Sequence, residues 1–324
     1  MKILVTGAAG FIGFHSCIRL LEEGHEITGI DNINNYYDIQ LKHSRLEKLK
    51  TKTNFIFKKI DLADRSGIAE LFKNNSFDVV LHLGAQAGVR YSIDNPFAYL
   101  DSNLTGMLTI LEGCRHHGIK HLIYASSSSV YGANTKLPFS VEDRVETPIS
   151  LYAATKKADE LMAYTYAHLY KFPITGLRFF TVYGPLGRPD MAYFKFANAI
   201  TAGQSIDVYN YGDMKRDFTY IDDIVDGIDS IVNKTPAALA DVVPHRVYNL
   251  GHNHPEDLLD MINILERKLG KEVKKNFLPM QAGDVYSTYA DISQTKLDYD
   301  FYPKTSLENG LENFCQWYTA YYKN

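Results

Sequence analysis

The sequence predicts an α/β fold: a doubly wound parallel sheet followed by a smaller C-terminal α/β lobe. Three observations carry this. A short apolar strand, Ile3-Leu4-Val5, runs directly into Gly7-x-x-Gly10-x-x-Gly13. Short apolar runs then alternate with helical segments as far as Phe179, the rhythm of parallel strands joined by right-handed crossovers. Beyond Gly184 the elements shorten, proline becomes more frequent and several arginines appear. A length of 324 residues accommodates one large unit or two intimate lobes with a sizeable core.

The opening elements read as half of a dinucleotide-binding unit. After the glycine turn, with Phe11 and Ile12 inside it, a helix is expected over 16–23, then a strand over 26–30 that ends at Asp31. The glycines permit a tight turn and close approach of a pyrophosphate to a helix N-terminus. An acid closing the second strand is placed to bond both ribose hydroxyls and to repel a 2′-phosphate, so NAD is expected rather than NADP. Asn32 begins a polar, aromatic stretch to Gln40 that reads as a loop along the adenosine. A third strand, 55–60, leads to Asp61-Leu62, where the acid meets the adenine amine or caps the next helix. The fourth, 79–83, ends at Leu83 and passes into Gly84-Ala85-Gln86-Ala87-Gly88-Val89-Arg90, small residues beside a passing cofactor. Arg90 reaches a phosphate or pairs on the surface. A long helix follows over 96–117, with Asn103 in the middle of its packable face.

The fifth strand, Leu122-Ile123-Tyr124-Ala125, delivers Ser126-Ser127-Ser128-Ser129, and the next helix opens with Tyr152-Ala153-Ala154-Thr155-Lys156. Tyr152 and Lys156, four apart, share a helical face. Hydroxyls at a strand end beside a phenol and an ammonium form a device for moving a proton on and off an alcohol. An ordinary phenol titrates near ~10 and is a poor base, and a neighbouring cation favours the phenolate. The same spacing recurs at Tyr211 and Lys215, but across the turn sequence Asn210-Tyr211-Gly212-Asp213, so that copy is expected not to be helical. Ligands of such sheets bind at the carboxyl ends of the strands, where the glycines, Asp31, Ser127 and Tyr152 all fall.

A sixth strand spans 174–179, before Thr181-Val182-Tyr183-Gly184-Pro185. Val208 to Gly212 reads as strand and turn, 216–221 as a strand, and Asp222-Asp223 as the start of a helix. The final helix, with Leu307, Leu311, Phe314, Tyr318 and Tyr321 at helical spacing, reads as core packing. The expected division is a dinucleotide-binding domain over 1–183, with returning segments near 216–250, and an interleaved substrate lobe mainly over 184–324.

Composition excludes several classes. Apolar content of 45%, charged content of 22%, a net charge of −4 and a pI near 6.3 describe an ordinary globular chain without the basic stripe that nucleic acid requires. No apolar run is long enough to span a bilayer, and the first strand at residue 2 leaves no room for a signal peptide, so a cytoplasmic, membrane-free protein is expected. Cys17, Cys114 and Cys315 match neither a disulfide framework nor a zinc pattern, and the eleven histidines lack metal spacing.

Taken together, these residues resemble the extended short-chain dehydrogenase/reductase family, with its Rossmann domain, over essentially the whole chain. Three runs look like the UDP-glucuronate 4-epimerases among the nucleotide-sugar epimerases: Ala85 to Ser92, Phe179 to Pro185, and Met214 to Tyr220. The resemblance implies that Ser127, Tyr152 and Lys156 are catalytic. It implies too that Arg216 and Asp284 contact the UDP portion of a UDP-sugar and that Lys156 holds the nicotinamide ribose; Arg90 and Tyr209 are expected as further substrate contacts. Many relatives carry Arg-x-Gly-Asp in the late loop, and this chain has Gln281 in place of that arginine. The implied reaction inverts C4 through a transient 4-keto sugar with NAD regenerated each turn. Similar decarboxylases and 4,6-dehydratases place a carboxylate beside the catalytic serine or threonine, whereas Ser128 and Ser129 stand here. These serines, Thr181 and Arg188 are expected to hold a C6 carboxylate. A neutral-sugar 4-epimerase acting on UDP-glucose or UDP-N-acetylglucosamine is the main competitor. Family analogy further suggests a homodimer pairing the helices from Pro96 and Ser150.

Overall fold

The computed structural model describes residues 1–235, 242–280 and 286–322. Its frame is a seven-stranded parallel sheet. β1 (Lys2–Thr6) leads through α1 (Phe11–Glu22) to β2 (Glu26–Asp31), and α2 (Ile39–Lys50) leads to β3 (Phe55–Lys59). α3 (Arg65–Lys73) and β4 (Val79–His82) follow. The next crossover is α4 (Tyr91–Asp94), α5 (Pro96–Tyr99) and α6 (Gly106–His116), which enters β5 (His121–Ser127). α7 (Leu151–Tyr170) and β6 (Ile174–Phe179) complete the regular alternation.

From there the chain shuttles between sheets through β7 (Thr181–Tyr183), α8 (Ala192–Ala202), β8 (Ile206–Val208), β9 (Lys215–Tyr220), α9 (Ile221–Asn233) and β10 (His245–Leu250). β11 (Pro255–Asp257), α10 (Leu258–Leu269), β12 (Lys275–Phe277), β13 (Ser287–Thr288), α11 (Ser293–Tyr299) and α12 (Leu307–Tyr322) end it. The large sheet has the order β10-β6-β5-β4-β1-β2-β3, all parallel, reversing direction of growth at β1 and β4. β9 centres a second sheet with β7, β11 and β13, and β8 pairs with β12. Within the 216–250 stretch, α9 packs on α1 and β10 extends the large sheet, while β9 belongs to the small one.

The near-continuous apolar character of the strands follows from coverage on both faces. Ile3, Val5, Ile27, Val79, Leu81, Ile123 and Leu177 point to the α1 and α9 side. Their neighbours Leu4, Ile30, Val80, Leu122, Tyr124 and Ile174 pack with α3, α6 and α7. This is the period-two alternation of a strand read twice.

Three elements differ from expectation. α1 begins at Phe11, within the stretch read as the glycine turn and five residues before the helix expected over 16–23. α2 begins within the stretch read as an adenosine loop, with Asp38 capping it by accepting from the Gln40 N–H at 2.8 Å. Its buried stripe contains only three leucines, Leu41, Leu46 and Leu49, beside buried Lys42 and Arg45, and this polar composition masks the helical period. The expected helix over 96–117 is present but interrupted by a π-helical turn at Leu100–Thr105. Such bulges gather at functional sites. Here the turn carries Asn103, whose amide bonds the Gln86 N–H (2.8 Å), the Gln86 carbonyl (3.1 Å) and Thr155 Oγ1 (3.0 Å). A polar side chain in a packable face thereby ties the 84–90 loop to the Tyr152 helix.

Candidate active site

One continuous cleft of about 1010 Å³ runs along the carboxyl edge of the large sheet and under the small one. Every site residue expected from sequence that falls among the described residues lines it. Asp284 and Gln281 lie outside the described residues.

At one end the glycine turn forms a cradle that side chains would fill. A Cβ on Gly13 would lie 2.1 Å from the Gly7 carbonyl oxygen, and one on Gly10 2.9 Å from it. Gly7 has φ +69°, and its Cβ would meet Gly84 backbone at 2.8 Å. No side chain caps α1 at Gly10, so the positive end of the helix opens on the cleft. Asp31 accepts from the Ala9 N–H at 3.2 Å and the Ile33 N–H at 2.8 Å, which fixes its carboxylate at the end of β2. Asp61 accepts from Asn32 Nδ2 at 2.7 Å and the Ala63 N–H at 2.9 Å. These residues, with Leu62 and Leu83, line one end of the cleft beside an uncapped helix N-terminus suited to a phosphate.

At the centre, β5 ends at Ser127 and α7 presents Tyr152 and Lys156. α7 starts cleanly because Ser150 caps it, accepting from the Ala153 N–H at 3.1 Å. Ser129 donates to Ser127 Oγ through its N–H (3.2 Å) and its hydroxyl (2.9 Å), leaving the Ser127 O–H to donate into the cleft. The Lys156 ammonium is buried, bonded to the Ala125 carbonyl and to Asp159 Oδ2, each at 3.0 Å. Burial pushes the Asp159 carboxyl up to about 6 despite that cation. The ring of Tyr99, hydrogen-bonded to the carbonyls of Ala87 and Gly88, stands edge-on to Tyr152 at 6.1 Å.

Beneath the serines lies a buried ionic network. Glu160 accepts from Arg178 Nε (2.8 Å) and Nη2 (2.9 Å) and from Ser126 Oγ (2.7 Å). Arg178 also donates to the Tyr131 hydroxyl (3.1 Å), which donates to Asn249 Oδ1 (2.7 Å). Burial opposes the charge on Glu160, but the guanidinium holds its carboxyl below the usual range. The network joins β5, α7, β6 and β10 at the carboxyl end of β5.

Toward the small sheet, Arg188 lines the cleft with its Nε and Nη2 on Asp190 at 3.0 and 2.5 Å. Thr181, at the head of β7, faces the same space. Arg90 lies over the Tyr209 ring at 5.5 Å, and Arg216 donates to the carbonyls of Lys215 (2.8 Å) and Tyr286 (3.1 Å). The second Tyr-x-x-x-Lys is not helical: Tyr211 has φ +53° and Lys215 opens β9.

The family model for the NAD dependent epimerase/dehydratase family matches residues 3–251. The chain belongs to the NAD dependent epimerase/dehydratase family. Its relatives include the probable UDP-glucuronate 4-epimerase of Rhizobium meliloti, 45% identical over all of this chain and 98% of that protein. UDP-glucuronate 4-epimerase 1 of Arabidopsis thaliana is 46% identical over 99% of this chain and 77% of its own. A UDP-glucuronic acid 4-epimerase from Bacillus cereus, solved with UDP-glucuronic acid and NAD, is 34% identical. It covers 99% of this chain and all of that one at a TM-score of 0.91.

The epimerase/dehydratase family is NAD dependent, and the glycine cradle, the uncapped α1 and the anchored Asp31 fit that cofactor. Sequence reasoning missed Tyr36, Lys42 and Arg45. The 32–38 segment lines the cleft beside Asp31 through Asn32 and Asn34 and reaches toward the small lobe, where the Tyr36 hydroxyl donates to Asp190 at 3.0 Å. Arg45, fully buried, donates to the carbonyls of Ala9, Leu186 and Gly187. The available signal was the group of aromatic and basic residues Tyr36, Tyr37, Lys42 and Arg45 around the start of α2. No helix among the described residues is long and apolar enough to cross a membrane.

Proposed function

We propose that this family member inverts C4 of UDP-glucuronate to give UDP-galacturonate. The observation that carries the reading is a single cleft holding a cofactor cradle, Ser127, Tyr152 and Lys156 at its centre, and Arg188 with Ser128, Ser129 and Thr181 beyond them. No carboxylate adjoins Ser127 in the chain, so the acid–base work at C5, proton removal in dehydration and reprotonation after loss of CO2 in decarboxylation, has no neighbouring group to perform it.

NAD, when bound, supplies the acceptor and donor of the C4 hydride. Tyr152 takes the 4-hydroxyl proton and later returns it. Ser127, its oxygen already receiving two bonds from Ser129, donates its own hydrogen to the same sugar oxygen. Lys156, with two partners filled, retains an N–H for the ribose and places its charge beside the phenol. Arg90 and Arg216 anchor the diphosphate while the sugar turns its other face, for which the cleft has room.

The competing substrate, a neutral UDP-sugar, draws on the Arg188–Asp190 pair, which balances the arginine charge. Proton NMR of UDP-glucuronate and of UDP-glucose incubated separately with the protein and its Arg188→Ala variant separates the two. The uronate reading predicts turnover of UDP-glucuronate that Arg188→Ala impairs. Turnover of UDP-glucose alone, or an indifferent Arg188→Ala, overturns it.

The protein is further proposed to act in the cytoplasm as a homodimer. Exposed Leu161, Tyr164 and Leu169 on α7 and Leu108 on α6 supply the apolar surface for a two-fold contact. A monomer by light scattering would end the dimer reading.

A further inference from the structure

We propose that Tyr36, with Asp190, is a specificity-determining pair that sets the orientation of Arg188 for the substrate carboxylate. Its starting point is the reading of Arg188 as the uronate contact. Asp190 occupies Nε and Nη2 of the guanidinium, which fixes its plane on a side chain that lines the cleft. A carboxylate held at two nitrogens on one edge leaves the planar fork able to offer a further N–H to a second anion. Asp190 is held in turn by the Tyr36 hydroxyl.

Tyr36 is unusually constrained for a loop residue. Its ring packs on Tyr91 at 4.7 Å. Its N–H bonds Asn34 Oδ1 at 3.3 Å, and buried Lys42 grips both Asn34 oxygens at 2.8 Å. A Cβ on Gly88 (φ +104°) would lie 2.3 Å from the Tyr36 oxygen, so the hydroxyl rests against bare backbone and moves no further. The two segments that meet here both contain apolar residues in left-handed conformations, Ile33 at φ +53° and Leu186 at φ +54°. Such conformations are strained for apolar residues and persist where surrounding structure imposes them. Arg45 imposes one, clamping the Leu186 and Gly187 carbonyls to the Ala9 carbonyl of the glycine turn. The arginine that meets the sugar is thus positioned by the loop that follows Asp31. Asp190 serves a second purpose: it lowers the cost of burying a cation that, unpaired, would favour any anion in reach.

The test is a double-mutant cycle on Tyr36→Phe and Arg188→Ala, which retains the ring packing on Tyr91. Read out are KM and kcat for UDP-glucuronate and the inhibition constant of UDP-glucose. Tyr36→Phe is expected to raise the uronate KM about threefold to tenfold, leave kcat within about twofold, and leave the UDP-glucose constant unchanged. In the Arg188→Ala background the same change should have no further effect on KM, because its route is lost. Equal weakening of UDP-glucose, or additive effects in the double variant, would overturn the inference and assign Tyr36 a structural role alone. If Arg188→Ala itself leaves the uronate KM unchanged, the carboxylate reading fails. If Arg188→Ala raises KM while Tyr36→Phe does not, only the positioning role fails.

Discussion

Removing the Glu160 carboxylate should destabilise the protein more than any change to its surface charges. Its side chain and that of Arg178 are 3% and 4% exposed, and three of the carboxylate's hydrogen bonds go to Arg178 and Ser126. Glu160→Ala leaves the guanidinium buried with only the Tyr131 hydroxyl as partner, and breaking a buried pair in this way costs about 3–5 kcal/mol. Folded proteins are stable by only ~5–15 kcal/mol, and 1 kcal/mol moves Tm by about 2–4 °C in chains of 150–250 residues. Taking the lower slope for this longer chain, a fall of about 6–10 °C is expected in a scanning calorimetry comparison at pH 7. Glu160→Met with Arg178→Met removes both charges and should recover much of that loss. The pH dependence has a definite sign: a carboxyl whose folded pKa lies below the unfolded one contributes stability above the unfolded value, near 4.5, and loses it as pH falls through the folded one. The gap between wild type and Glu160→Ala should therefore narrow on acidification below about pH 4.5. A fall under about 2 °C, or a double variant no better than the single one, would refute the reasoning.

Tyr152→Phe removes the group that moves the 4-hydroxyl proton and should lower kcat by about 10²–10⁴-fold while UDP binding by calorimetry persists. Gly13→Ala drives a Cβ to 2.1 Å from the Gly7 oxygen, so the variant should purify without NAD, as judged by release of cofactor on acid denaturation. The Asp159 carboxyl, raised from 3.8 to about 6, binds a proton in the folded state that the unfolded chain has lost. Stability from this group falls as pH rises from about 4 to 6, so Asp159→Asn should flatten the Tm profile across that window.

The large sheet was legible because each strand is an apolar run stopped by a glycine, serine or acid, and β6 lies where the periodicity put it, at Ile174–Phe179. Asp31 and Ser127 were legible because each closes an apolar strand, and Tyr152 and Lys156 because a spacing of four puts them on one face of the helix that follows the serines. What escaped depends on contacts remote in sequence. Tyr36 acquires its partner 154 residues away, and Arg45 its carbonyls 141 and 142 away, distances over which no local period carries information. The π-helical turn was hidden because Asn103 marks a break in pattern without saying that the helix widens to receive the Gln86 backbone. Arg188 was expected as an available cation for the sugar carboxylate. The nearby acid in Gly-Arg-Pro-Asp was visible in the sequence, but only the fold shows both oxygens of Asp190 turned back onto the guanidinium.

The central claim is that hydrogen leaves C4 and returns to it within one cleft. The direct measurement is to incubate the purified protein, without added NAD, with UDP-glucuronate deuterated at C4 in ordinary water and to follow the product by NMR. The account predicts UDP-galacturonate that retains deuterium at C4. Protium at C4 in the product, or no UDP-galacturonate from protein shown to contain NAD, would contradict it.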